Sequence, residues 1–210
     1  MVAQIWGDHK KLFQREGYME LKFYTIDTEY VDYLRDACGI QNVLDNKETS
    51  RFKRPYIGIV LQVDDYKYYV PLSSPKNNDY IYVNGRKTIR RDVIPIIRLI
   101  VESENGELEL KGKLKFSSMI PVPDNVITYY DISQETNEDY RMLLEKEYEF
   151  IKSNQDKIKR NARVLYNQKT KEDILYSGEN ANKKPGYLNA TIDFKYAEQM
   201  HNKYIAEEEQ

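Results

Sequence analysis

The chain has 210 residues and a mass of 25.0 kDa, which suits one domain with a hydrophobic core and is short for two. Its one cysteine, Cys38, excludes an internal disulfide framework, and no Cys or His residues stand at zinc-ligand spacing. No apolar run approaches roughly 18 residues, and the start of the chain lacks a secretory signal. We therefore expect a cytoplasmic protein with no membrane partner, no metal and no cofactor.

The formal net charge of −2 hides a basic centre. Nine Lys or Arg residues and three acidic residues stand between Arg51 and Arg91, and residues 157–163 add four cations without an acid. Cationic surface attracts nucleic-acid phosphates, so this distribution indicates a polyanionic partner, with ordinary solvated charge as the alternative. The 19 tyrosines can stack on bases, but half-buried positions in strands and helices are their commoner use.

The first 18 residues differ from the rest of the chain, and we interpret them as an N-terminal extension. A purine-rich stretch that can encode residues 15–18 resembles a ribosome-binding site, which suggests Met19 as the natural start. Residues 21–26 then predict a strand, and a short helix that carries Tyr30 ends at Gly39.

The middle of the chain is rich in strand signals. The predicted strands cover residues 55–63, 66–72, 81–83, 86–90, 94–101, 107–116 and 119–122. Turns at Asp64-Asp65, Asn84-Gly85 and Asn105-Gly106 join consecutive strands. These patterns predict an antiparallel sheet.

From about Asn137 the apolar period changes from two to about 3.6 residues. Helices are expected over residues 137–151, after Asn154, and near 193–206. The sum is an α+β fold, a twisted antiparallel sheet flanked by helices with a helical C-terminal half. One domain is expected over residues 19–206, followed by an acidic tail at 207–210.

Two hydroxyls and an ammonium stand at the end of the first hairpin, in Ser73-Ser74-Pro75-Lys76. This sequence matches the Ser-x-x-Lys of penicillin-recognising enzymes, but the accompanying Ser-Asp-Asn and Lys-Thr-Gly are missing. A Ser-His-Asp triad fits poorly, because the histidines are His9, in the extension, and His201, near the tail. The plain alternative is a polar strand end at which Pro75 ends the ladder.

Together with Arg51, Lys53 and Arg54, this motif has the groups to hold a phosphodiester. RNA supplies its own nucleophile, the 2′-OH, so cleavage requires geometry, cations and modest proton transfer and no protein nucleophile or metal. Without histidine the acid and base would be Lys, Tyr or Ser. Their ordinary pKa values of about 10 or more predict modest turnover.

Five short segments in order resemble the ToxN/AbiQ/CptN family of type III toxins, endoribonucleases that a repetitive RNA antitoxin controls. The segments are residues 22–26 with Tyr30, Tyr33 and Leu34, then 56–61, 71–76, 119–122, and 140–144 with 149–154. The resemblance implies a highly twisted sheet like that of the Kid and MazF toxins. It also implies metal-independent, sequence-selective RNA cleavage that leaves a 2′,3′-cyclic phosphate.

The same resemblance implies the partners and the biological role. The partners would be antitoxin RNA repeats, which the toxin also processes and binds in a closed multimer, and the substrates would be cellular and phage RNA. The role would be anti-phage abortive infection or plasmid maintenance. The alternative function is a noncatalytic RNA-binding module that uses the same basic, tyrosine-rich face.

Carried over to this sequence, the family pattern places the critical hydroxyl at Ser74, which would orient the attacking hydroxyl or the scissile phosphate. Lys76 and Arg54 would stabilise charge and Ser73 would bind phosphate. A guanidinium does not deprotonate, which argues against a general-base role for Arg54. Contacts with RNA are expected from Arg51, Phe52, Lys53, Arg86, Lys87, Lys115, Phe116 and Ser118.

Overall fold

The computed structural model describes residues 20–45, 54–103 and 105–208. Strands dominate the described chain up to Tyr129, with one short helical segment after the first strand, and helices dominate from Glu138 onward, which confirms the predicted α+β class. The expected extension at residues 1–18 lies outside the described residues, and the likeness to Kid and MazF stays a prediction. A helix long and apolar enough to cross a bilayer is absent from the described ranges.

All strand pairings in the described chain are antiparallel, as the turn signals predicted. The strands are β1 (Lys22–Ile26), β2 (Tyr56–Val63), β3 (Tyr66–Ser73), β4 (Tyr80–Val83), β5 (Arg86–Ile89), β6 (Ile96–Glu102), β7 (Leu108–Lys115), β8 (Ile120–Pro121) and β9 (Ile127–Tyr129). The main sheet has the order β6-β7-β3-β2-β1-β9, with β8 also paired to β3, and β4 and β5 form a separate two-stranded ribbon.

The α-helices are α1 (Thr28–Asp32), α2 (Glu138–Ser153), α3 (Gln155–Thr170), α4 (Glu172–Leu175) and α5 (Phe194–Glu208). A π-helical turn (Tyr33–Ala37) extends α1. Helix α2 packs on β6 and β7, α3 on β2, and α5 on β8. The acidic residues Glu207 and Glu208 belong to the end of α5.

Strand β3 connects the two halves of the main sheet. The first part of β3 pairs with β8 on one edge, whereas Leu72 and Ser73 at its end pair with Leu114 and Lys113 of β7. Its other edge pairs with β2, with a register shift between Ile57 and Leu61. Because β3 changes partners along one edge, its last residue lies beside β7, the strand that carries Lys113 and Lys115.

A buried polar contact joins β3 to the helices. The Glu198 carboxylate of α5 accepts hydrogen bonds from the hydroxyls of Tyr68 at 2.9 Å and Tyr166 at 2.7 Å. The three residues lie in or beside a continuous hydrophobic core that extends from Leu21 to Ala197. Buried polar groups that find partners in this way fix the packing of α3 and α5 against β3.

Two predicted helix starts behave differently. Asn137 caps α2 as expected, since its Oδ1 accepts a hydrogen bond from the backbone N–H of Tyr140 at 2.9 Å. Asn154 precedes α3 as expected, but its side chain donates to the carbonyl of Phe150 at 2.8 Å. Asn154 therefore satisfies an acceptor at the end of α2 and not a donor at the start of α3.

We predict that Gly58→Ala lowers the free energy of unfolding by about 1–3 kcal/mol through overpacking. A Cβ at Gly58 would lie 2.0 Å from Cδ1 of the buried Tyr69 ring. The control is Gly186→Ala, because a Cβ there meets no atom within 4 Å, and its effect should stay within about 0.5 kcal/mol. Urea denaturation measures both variants, and equal stabilities would contradict the prediction.

Candidate functional site

The Ser73–Lys76 motif lies where the chain leaves the main sheet. Ser73 is the last residue of β3 and is half-buried, and Pro75 lacks the N–H that would continue the ladder. Ser74 and Lys76 are exposed. The two side chains that the sequence placed at the centre of the site are therefore accessible to a ligand.

Arg54 lies beside this motif, as the family pattern implied. One guanidinium nitrogen donates hydrogen bonds to the carbonyl of Leu72 at 3.0 Å and to Oγ of Ser73 at 3.2 Å, and Nε donates to the carbonyl of Asp45 at 3.2 Å. None of these three acceptors carries a full charge. The contacts orient the guanidinium at the end of β3 and leave its positive charge uncompensated by them.

The buried Asp79 anchors the segment that contains Lys76. Its Oδ2 accepts hydrogen bonds from the backbone N–H of Lys76 at 2.8 Å and from the Lys113 ammonium, and its Oδ1 accepts from Arg98 at 3.1 Å. Lys113 is the register partner of both Ser73 and Arg98. We call Asp79, Arg98, Lys113 and the Lys76 backbone the Asp79 clamp, because these contacts fix the loop after β3 to β6 and β7.

The electrostatics of the clamp favour an ionised carboxylate. Burial raises the pKa of Asp79, but the hydrogen bonds from Lys113 and the Lys76 backbone, with the charges of Lys113 and Arg98, outweigh burial. The pKa of Asp79 is therefore lowered from its ordinary value. Sequence reasoning missed the clamp, since its members are far apart along the chain and form no motif.

Lys115 also lies in this region, at the end of β7. It stands two residues after Lys113, hence on the same face of the strand, and is half-buried. Burial lowers the pKa of Lys115, and the charges of Lys76, Lys113 and Arg54 lower it further. We call Arg54, Lys76, Lys113 and Lys115 the cation cluster.

The burial of Phe116 and Ser118 contradicts the RNA contacts expected of them. Phe116 is fully buried in the core, and the Ser118 hydroxyl is buried and donates to the carbonyl of Asn42 at 2.6 Å. A 3₁₀ turn (Phe116–Ser118) directs both side chains inward, where neither can stack on a base or reach a phosphate. Arg51, Phe52 and Lys53 lie outside the described residues.

Arg86 and Lys87 lie on the β4–β5 ribbon, which begins close to the motif. The backbone N–H of Arg90, after β5, donates to the carbonyl of Asp79 at 2.9 Å. Both predicted side chains are exposed on the ribbon. The Asp79 clamp therefore connects this basic ribbon to Lys76.

One face of the basic ribbon alternates aromatic and cationic side chains. The register pairs Tyr82 with Lys87, so Tyr80, Tyr82 and Lys87 share a face. The Lys87 ammonium lies 4.1 Å from the centre of the Tyr80 ring, and Tyr82 is 75% exposed. Sequence reasoning did not select Tyr82, although the alternation of Tyr80 and Tyr82 before Arg86 was visible.

The opposite face of β7 is closed by helix α2. A Cβ at Gly112 would lie 2.2 Å from Oε1 of Glu147, which shows that the Glu147 carboxyl lies directly against this strand. Glu147 is 3% exposed, and burial raises its pKa to about 8. Since Gly112 and Lys113 point to opposite faces, Glu147 is separated from the cation cluster by the sheet.

A different environment exists at the other end of β3, roughly 24 Å away along an eight-residue strand. An open cleft of about 800 Å³ is lined there by four acidic residues, Asp64, Asp65, Asp124 and Glu208, together with Lys67 and His201. This acidic lining is unsuited to phosphate. Within the described residues, no three His, Cys, Asp or Glu side chains cluster as metal ligands.

Comparison with known proteins identifies the family. Residues 22–202 match the family described as Toxin ToxN, type III toxin-antitoxin system. This range covers most of the chain and contains the motif, the Asp79 clamp and the cation cluster. The chain therefore belongs to the ToxN family, and the resemblance drawn from five short segments is confirmed.

Similar proteins support this assignment. Endoribonuclease ToxN of Bacillus thuringiensis subsp. kurstaki is 29% identical over 185 residues, which span 87% of this chain and 84% of that protein. A solved structure described as "selective toxin inhibition by a non-coding RNA pseudoknot" has a TM-score of 0.66 at 28% identity and covers 89% of this chain and 98% of its own. Another, described as "A processed non-coding RNA regulates a bacterial antiviral system", has a TM-score of 0.66 at 25% identity, with 86% and 97% covered.

We predict that Asp79→Asn lowers the free energy of unfolding by about 3–5 kcal/mol, because it leaves two buried cations without their counter-charge. The control is Asp124→Asn, which breaks an ion pair between Lys67 and a carboxylate that is 70% exposed. That variant should lose less than about 1 kcal/mol. Chemical denaturation compares the two variants, and an equally small loss in Asp79→Asn would argue against the clamp.

Proposed function

We propose that the protein is an endoribonuclease toxin of a type III toxin–antitoxin system. It cleaves RNA without a metal ion, by attack of a 2′-OH on the adjacent phosphorus, and leaves a 2′,3′-cyclic phosphate. The observation that carries this proposal is the arrangement of exposed Ser74 and Lys76 beside Arg54 and Lys115, in a chain of the ToxN family.

The cations of the site match the charge that develops during cleavage. In-line attack increases negative charge on the nonbridging oxygens of the phosphate, and prepositioned cations stabilise that charge. Arg54 is already oriented by Leu72 and Ser73, and Lys76 is held at its backbone by Asp79. The Arg54 guanidinium therefore meets the phosphate with little loss of conformational freedom, and the backbone that carries the Lys76 side chain is fixed in place.

The two serines have separate roles in this proposal. Oγ of Ser73 accepts a hydrogen bond from Arg54, which leaves its own O–H to donate to a phosphate oxygen. Ser74 is exposed immediately after the strand and orients the attacking 2′-OH or the scissile phosphate. Substrate geometry then depends on Ser74, and charge stabilisation depends on Lys76 and Arg54.

The basic ribbon provides the RNA-binding surface next to this centre. Arg86 and Lys87 contact the backbone phosphates, and a base stacks on the exposed ring of Tyr82. The four ribbon residues Tyr80–Val83 span only roughly 10–13 Å from the clamp. The ribbon therefore binds RNA close to the cleaved phosphate.

The inhibitor in this proposal is a repetitive RNA antitoxin, which the toxin processes and binds in a closed multimer. The solved relatives described by a non-coding RNA pseudoknot and by a processed non-coding RNA support this part of the proposal. The substrates are cellular and phage RNA in the cytoplasm, and the role is abortive infection.

Ser74→Ala should reduce RNA cleavage by about 100-fold or more, as expected for loss of one prepositioned hydrogen-bond donor, and should abolish growth inhibition. End mapping of total RNA incubated with each purified protein measures cleavage, with and without EDTA. Ser133→Ala, an exposed serine outside the motif, should match the wild type. Full toxicity of Ser74→Ala would refute the assignment, loss of activity in EDTA would indicate a metal nuclease, and unchanged RNA ends with wild-type protein would indicate a noncatalytic binding module.

Tyr82→Ala should weaken binding of single-stranded RNA by about 5–150-fold, because a stacked base contributes roughly 1–3 kcal/mol. Binding is measured in the Ser74→Ala background, so that the RNA stays intact. Tyr129→Ala provides the control, since Tyr129 is 55% exposed on β9, an edge strand of the main sheet and not part of the ribbon. Equal RNA affinities for the two variants would show that the ribbon is not part of the RNA-binding surface.

A further inference from the structure

Attack by a 2′-OH requires a group that accepts its proton, and several neighbours of the site are unsuited to this task. A guanidinium retains its proton, so Arg54 is excluded. Burial, together with the negative charge of Glu147, raises the pKa of Tyr140 to about 12, although the Arg54 charge lowers it somewhat. The Tyr140 phenol therefore stays protonated. The Glu147 carboxyl lies on the other face of β7 and is 3% exposed, which keeps it from RNA.

Two of the three lysines in the cation cluster have a counter-charge or contact with bulk water. Lys113 is 6% exposed and forms an ion pair with Asp79. Lys76 is exposed, so water solvates its charge. These two groups suit charge stabilisation and proton donation better than proton acceptance.

Lys115 has a different environment. It is half-buried, and among the described residues it has neither a hydrogen-bond acceptor nor a carboxylate partner for its ammonium. The charges that face it are those of Lys76, after β3, Lys113, on its own strand, and Arg54, before β2. Reduced hydration and like charge both favour the neutral amine, the form that accepts a proton.

We propose that Lys115 is the catalytic base of RNA cleavage, an inference that rests on the proposed endoribonuclease function. The Lys115 amine takes the proton of the 2′-OH as O2′ forms its bond to phosphorus. The P–O5′ bond breaks with its electron pair on O5′, and the Lys76 ammonium donates a proton to O5′. Lys115 then releases its proton to water and Lys76 regains one from water, so the enzyme is restored without a redox change.

Lys115→Arg tests this role, because arginine keeps the charge and cannot act as the base. The substrate is an RNA oligonucleotide spanning the strongest cut that wild-type protein makes in total RNA. We expect the single-turnover rate to fall by about 100-fold or more, with the affinity for RNA changed less than about threefold. A wild-type rate in Lys115→Arg would overturn the proposal.

The pH dependence gives a second readout. In the wild type, the rate should rise with pH while Lys115 loses its proton and level off below the ordinary lysine pKa of about 10.4, because the pKa of Lys115 is lowered. In Lys115→Arg the rate should keep rising with hydroxide concentration through the pH at which the wild-type rate levels off. Identical profiles for the two proteins would contradict the assignment.

An oligonucleotide with sulfur in place of the bridging O5′ distinguishes the catalytic base from the catalytic acid. A thiolate is a good enough leaving group to depart without a proton, so this substrate needs the base and not the acid. Lys76→Ala should recover at least about tenfold in rate on this substrate, whereas Lys115→Arg should stay slow. The reverse pattern would assign proton donation to Lys115 and overturn the proposal.

The matched control is Lys111→Arg, four residues earlier on β7 and paired with Glu109, which should cleave like the wild type. Lys115→Gln is the second variant, should Lys115→Arg fail to fold. It should lose rate and, lacking the charge, some RNA affinity. Wild-type protein that leaves RNA intact would contradict the proposed function, whereas active wild type with equally active Lys115 variants would contradict this inference alone.

Discussion

The buried carboxylate of Asp79 holds together the parts of the chain on which the site depends. The carboxylate accepts hydrogen bonds from the backbone N–H of Lys76, the ammonium of Lys113 and the guanidinium of Arg98. The backbone carbonyl of Asp79 accepts a hydrogen bond from the N–H of Arg90 at the base of the ribbon. A buried ion of this kind is tolerated when it is paired and hydrogen-bonded. Removing one partner leaves the remaining charges buried without compensation, which destabilises the fold. The loop with the exposed hydroxyl and ammonium is therefore attached to β6 and β7 by charge as well as by packing.

This arrangement also separates the two ends of β3 electrostatically. At the Ser73 end, Asp79 compensates the buried cations Lys113 and Arg98, while Lys76 and Lys115 remain available to an anion. At the Tyr66 end, the open cleft is lined by carboxylates. A polyanion such as RNA is attracted to one end and repelled from the other, so the net charge of −2 conceals a directional field. A bound phosphate offsets the repulsion among these cations, which favours RNA binding at this end.

Local signals predicted much of the fold because each depends on neighbouring residues. The Asn84-Gly85 turn has positive φ at both residues, as a two-residue hairpin requires, and Asn137 caps α2. Phe116 and Ser118 were misassigned for a physical reason. The family resemblance placed both residues among the RNA contacts, but β7 ends at Lys115 and a 3₁₀ turn sends the next three side chains into the core.

The sequence by itself determined the strand end at Ser73-Ser74-Pro75-Lys76, the hairpin turns, the helical C-terminal half and the family, since these follow from residue order and local backbone preference. Tertiary structure decided which charges are neutralised and which are not. Asp79 meets Lys113 and Arg98 only through the register of β3, β7 and β6, and burial without a partner distinguishes Lys115 from the other lysines of the cluster. Burial and pairing between distant residues are properties of the folded chain, and here they determine which lysine is suited to accept a proton.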